Sequence, residues 1–150
     1  MKNIADDELK KASCEGGFGS YVSKTVPCKT ENVAVLQDFS ERIVENKVSR
    51  KCCSKSCIVI DEIFSNAVKF SRSPDFTLGL SIHGECLDMR MCYGGILFNV
   101  LDVSEPDTTL KAQDRPVGGL GLLMVKKMCS DVSYDTKDGM NIIEVKINIA

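Results

Sequence analysis

The alternation of apolar and polar positions divides the chain into five extended and three helical stretches. Residues 20–29 are rich in β-branched and aromatic side chains and predict a strand that stops near Pro27. Val33, Leu36, Phe39, Ile43 and Val44 then recur at helical spacing beside Ser40, and Thr30 stands where a side-chain cap would start that helix. A charged, cysteine-bearing link (residues 47–56) leads to a second helix over residues 58–71, with the stripe Ile60, Ile63, Phe64, Ala67 and Val68. Glu62, Asn66 and Lys69 form a separate polar ridge beside that stripe, at i, i+4 and i+7. Ser73-Pro74-Asp75 breaks the helix.

Residues 76–82 and 86–92 predict two strands joined at His83-Gly84-Glu85. Leu87, Met89 and Met91 alternate with Asp88, Arg90 and Cys92, so one face of the second strand is buried. His83, the single histidine, falls at the hairpin tip and reads as a surface residue. An irregular stretch over 93–116 follows, longer than connections inside compact domains usually are, which marks function or mobility. Leu120, Leu123, Met124 and Met128 predict a helix over about 118–130. Residues 131–136 and 141–149 flank Lys137-Asp138-Gly139, a hairpin signal. Helices laid on one face of a mixed, mostly antiparallel sheet bury these stripes most simply, giving an α/β two-layer sandwich.

Composition narrows the classes. A length of 150 residues suits one domain, here expected over 19–150 behind a flexible leader at 1–18. Net charge is −2 with both signs interspersed, so no basic stripe points to nucleic acid or to an anionic membrane. The first eight residues lack a signal peptide's apolar region and no apolar run reaches membrane length, which predicts a cytoplasmic protein. Eight cysteines occur without a C-x-x-C pair and read as reduced, small apolar residues.

The candidate chemistry lies in three features. Glu62-x-x-x-Asn66 sits on a helix, Gly94-Gly95 follows a central strand, and Arg115-Pro116-x-Gly118-Gly119-x-Gly121 opens a helix. Glycines at a helix start let backbone N–H groups approach an anion such as phosphate at the positive end of the helix dipole. Together these blocks resemble the GHKL ATPase superfamily, the Bergerat fold of histidine kinases, gyrase and MutL. Within it they are most similar to the bacterial anti-sigma-factor serine/threonine kinase group. Asp61-Glu62-Ile63-Phe64-Ser65-Asn66 resembles that group's N-box. Phe98-Asn99-Val100-Leu101-Asp102, Glu105-Pro106-Asp107-Thr108-Thr109-Leu110 and Arg115-Pro116-Val117-Gly118-Gly119-Leu120-Gly121-Leu122 resemble its lid and second glycine box.

The resemblance implies ATP and Mg²⁺ as cofactors. Asn66 would ligate Mg²⁺, and Glu62 would be the catalytic base. Arg115, Gly118, Gly119, Leu120, Gly121 and Leu122 would bind the phosphates, with Tyr93 and Gly95 in the first glycine box. It also implies a STAS-domain anti-anti-sigma protein, a sigma factor, or both as partners, and a homodimer.

One position departs from the family pattern. The first glycine box of the family reads Asp-x-Gly, and its carboxylate accepts the adenine amino proton; here that position is Tyr93. Asp88 falls on the opposite face of the strand, and Glu85 lies about 26 Å away by strand rise. Loss of a hydrogen bond to a charged acceptor costs about 1.5–3 kcal/mol, or roughly 10- to 150-fold in affinity. Two outcomes follow from the sequence: the Tyr93 ring fills the base pocket, or its hydroxyl replaces the acceptor. The first leads to a second reading of the chain, a nucleotide-free or weakly binding GHKL module that acts by protein–protein binding.

Overall fold

The computed structural model describes residues 21–101 and 119–150. The leader and most of the long stretch after residue 101 lie outside the described residues. Strand β1 (Val22–Pro27) is followed by a 3-10 turn (Thr30–Asn32), helix α1 (Val33–Val44) and helix α2 (Arg50–Phe70). Strands β2 (Asp75–His83) and β3 (Cys86–Tyr93), helix α3 (Gly119–Met128), and strands β4 (Asp131–Lys137) and β5 (Met140–Asn148) complete the order. The five strands form one sheet, β1-β2-β3-β5-β4.

The sheet was expected to be mixed and mostly antiparallel, and every pairing among the described strands is antiparallel. The reason lies in the connections. Two helices, not one, separate β1 from β2, so the chain returns in the opposite direction. β4 runs parallel to β3, but the hairpin folds β5 into the gap between them, and no parallel neighbours remain.

One face of the sheet meets the helices. Phe76, Leu78 and Leu80 of β2, Leu87, Met89, Met91 and Tyr93 of β3, and Ile143, Val145 and Ile147 of β5 are all buried on it. They pack with Leu36, Phe39 and Val44 of α1 and with Val59, Ile60, Ile63, Phe64 and Ala67 of α2. Each large apolar side chain removed from water contributes about 1.5–3 kcal/mol before entropy is counted. Both hairpins form where expected, with left-handed φ at Gly84 (62°) in one and at Asp138 (53°) and Gly139 (76°) in the other. His83 is exposed at its tip.

Two local expectations are corrected. The segment read as a charged link is the first two turns of α2, which starts at Arg50 with the Ser49 side chain accepting from Cys52 N. Cys52 and Ser56 are fully buried and carry the apolar stripe back to the start of the helix. Residues that small do not look like core in a hydropathy pattern. Thr30 does not cap α1: it opens the 3-10 turn, and Asn32, the residue before α1, turns its Nδ2 to Pro27 O at 2.8 Å.

The described cysteines (Cys28, Cys52, Cys53, Cys57, Cys86, Cys92 and Cys129) are free, as expected of reduced apolar residues. No described helix is long and apolar enough to cross a membrane.

Ser49→Ala removes the α2 cap and is expected to lower stability by about 1 kcal/mol, seen as a Tm lowered by about 3 °C. An unchanged Tm would show that the cap bond contributes nothing net.

Candidate functional site

The polar ridge of α2 holds the first pair. Asn66 is buried while Glu62 stays partly exposed one turn before it. Asn66 Nδ2 donates to Glu62 O at 2.9 Å and to Glu62 Oε1 at 3.0 Å. With its nitrogen engaged, Asn66 has its carbonyl oxygen as the atom to offer a hard cation. The contact also fixes the Glu62 carboxylate on the ridge. Lys69, farther along, is exposed.

A second cluster closes the end of β3. Gly94 N donates to Ser73 Oγ at 2.9 Å, and Ile96 N donates to Ser71 O at 2.6 Å. Gly95, between them, has φ +73°, and a Cβ there would lie 1.9 Å from Ser71 O. The glycine is therefore required by direct backbone packing against the end of α2. Ser71 Oγ itself donates to Ala67 O and accepts from Ser73 N, which finishes the helix.

Asn141 at the start of β5 ties this turn down. Its side chain is fully buried. Nδ2 lies 3.2, 3.3 and 3.1 Å from the carbonyl oxygens of Tyr93, Gly94 and Ile96. Oδ1 accepts from Phe98 N at 3.1 Å and from the Tyr134 hydroxyl at 2.6 Å. The sequence reading passed over this residue. The signal was present: Asn141 shares the register face of Ile143, Val145 and Ile147, so it is a polar side chain on the buried face.

Tyr93 is fully buried beside this turn. Its ring stacks on Phe76 (centroids 5.4 Å, planes 11° apart) and meets Phe98 at 6.5 Å. Phe64 packs edge-on to Phe76 at 5.0 Å and Phe70 edge-on to Phe98 at 6.0 Å, so an aromatic column runs from α2 along the inner face of the sheet to the loop. The Tyr93 hydroxyl has no hydrogen-bond partner among the described residues. Burial pushes its pKa well above the ordinary tyrosine value, which keeps the phenol neutral.

The second glycine box is divided by the limits of the described chain. Arg115 and Gly118 lie outside the described residues, whereas Gly119, Leu120, Gly121 and Leu122 form the first turn of α3. That helix packs on α2, buries Val125, and holds the loop through Lys126 Nζ, 2.5 Å from Leu101 O. Among the described residues no three His, Cys, Asp or Glu side chains gather as a metal cluster. The hard oxygens of Asn66 and Glu62 fit a cation that keeps most of its ligands from water and phosphate. At the end of β3, where the resemblance implies a carboxylate for the adenine amino group, Tyr93 presents none.

Two substitutions check this geometry. Gly95→Ala meets both a left-handed φ and a backbone clash, and is expected to destabilise by at least about 2 kcal/mol in urea denaturation. Wild-type stability would contradict the close approach. Tyr93→Phe removes a buried hydroxyl without a partner and is expected to leave stability unchanged or raise it by about 1 kcal/mol. A loss of that size would mean that the hydroxyl is bonded after all.

Comparison with known proteins places these residues in a family. None of the curated proteins matches the chain. Among solved structures, the nucleotide-free catalytic domain of the histidine kinase ThkA is similar at 11% identity, TM-score 0.48, over 86% of this chain and 95% of that one. The Acinetobacter baumannii histidine kinase AdeS is similar at 13% identity, TM-score 0.46, over 96% of this chain and 76% of that one. Residues 26–147 match the histidine kinase-like ATPase domain family. The span takes in the Glu62–Asn66 ridge, the glycine turn after β3 and the start of α3, and the chain belongs to that family.

Proposed function

We propose that this chain is an ATP-binding regulator of the anti-sigma-factor type, a serine/threonine kinase acting on a STAS-domain anti-anti-sigma protein in the cytoplasm. The observation that carries the reading is the Glu62–Asn66 pair, held together on a partly buried ridge within a family of ATPase domains. Asn66 would hold Mg²⁺ through its side-chain oxygen, and Mg²⁺ would neutralise charge developing on the phosphates. Backbone N–H groups in the first turn of α3 would bind phosphate oxygens. Glu62 would take the proton of the substrate hydroxyl as its oxygen bonds to the γ-phosphorus and the bond to the β-phosphate oxygen breaks, releasing ADP.

A second reading has its own observation. Full burial of Tyr93 in the aromatic column favours a GHKL module that binds nucleotide weakly or not at all and acts by docking its protein partner.

Phosphotransfer from labelled Mg-ATP to a STAS-domain protein separates them. The kinase reading predicts transfer by wild type and a drop of roughly 10²-fold or more in Glu62→Gln. Equal transfer by both forms would remove Glu62 from the mechanism. Stable partner binding without transfer would favour the docking module.

A further inference from the structure

We infer that Tyr93 determines base selection at the proposed nucleotide site: its ring occupies the place of the base-recognising acceptor, so the site does not select adenine. The inference rests on the nucleotide-site reading given above and concerns a residue in which this chain departs from its family.

Selection of adenine needs an acceptor aimed at its exocyclic amino group, and among the described residues the surroundings of Tyr93 provide none with charge. Asp75 and Asp88 stand at register positions on the sheet face away from the helices, opposite to that of Tyr93. The neutral acceptors near the end of β3 are already engaged. The carbonyl oxygens of Tyr93, Gly94 and Ile96 take Asn141 Nδ2. Asn141 Oδ1 takes Phe98 N and the Tyr134 hydroxyl, while Ser73 Oγ takes Gly94 N and donates to Asp75 O.

What remains is the Tyr93 hydroxyl, buried and without a partner among the described residues. A phenol donates as readily as it accepts. With no surface exposed, it offers a base no contact that would tell a 6-amino from a 6-oxo group. The Tyr93 ring takes a face of Phe76, and stacking on Phe98 would not restore a preference, since every base presents a π face. Affinity then resides in the phosphates and the cation, which are common to all nucleoside triphosphates.

The test is titration calorimetry of the full chain with Mg-ATP and with Mg-GTP, on wild type, Tyr93→Asp and Tyr93→Asn. The asparagine variant supplies a neutral acceptor in case a carboxylate in the aromatic column prevents folding, and circular dichroism verifies each fold. Wild type is expected to discriminate less than tenfold between the two nucleotides. The folded variants are expected to favour ATP by tenfold or more.

A tenfold or greater ATP preference in wild type, or folded variants that gain none, would overturn the inference and leave the kinase reading standing. Wild type that binds neither nucleotide, beside variants that bind ATP selectively, would support the role of Tyr93 and sink the kinase reading. Failure of every form to bind would overturn both.

Discussion

The structure depends on the burial of one continuous face of α2. This helix of 21 residues is about 31 Å long at the usual rise, enough to cross the sheet. Its stripe from Cys52 to Ala67 faces the inward side chains of β2, β3 and β5. Because the stripe must be dry, the ridge beside it is fixed in rotation. Asn66 is then drawn to the boundary, buried but adjacent to the partly exposed Glu62. The chemistry of the site is thus a by-product of how the core orients one helix.

The C-terminal end of α2 sets the second half of the site. Arg72 takes a left-handed φ of 58° as the chain leaves the helix, and Ser71 and Ser73 receive the backbone that leaves β3. Gly95 allows that contact, and Asn141 secures it from the neighbouring strand. Any loop that starts here begins from a rigid corner. The same corner brings Phe98 onto Phe70 and Tyr93, which links the end of β3 to the helix that carries Glu62.

Most of the fold was legible because its elements obey simple periods. The 3.6-residue stripes of α1 and α2, the alternation in β3 and the Asp138-Gly139 turn each lead directly to the observed element. The start of α2 was hidden because Cys52 and Ser56 serve as core without being strongly hydrophobic. The mostly antiparallel sheet was legible, but the strand order was not, because it depends on where β5 inserts, a non-local choice that no local pattern records.

The pairing of Glu62 with Asn66 followed from helical spacing. Asn141 did not, since apart from the Tyr134 hydroxyl its partners are backbone groups more than forty residues away. Tyr93 was recognisable as a departure, yet only packing shows that its ring stacks within the core rather than lining an open slot.

The central claim is that the ridge of α2 and the first turn of α3 form one cation–phosphate site. Paramagnetic relaxation in amide NMR spectra, with Mn²⁺ and a nucleoside triphosphate added, tests it most directly. The account predicts selective broadening of the Asn66 side-chain amide and of the backbone amides of Gly119 to Leu122. Broadening elsewhere, with both of these groups unaffected at saturating nucleotide, would contradict it.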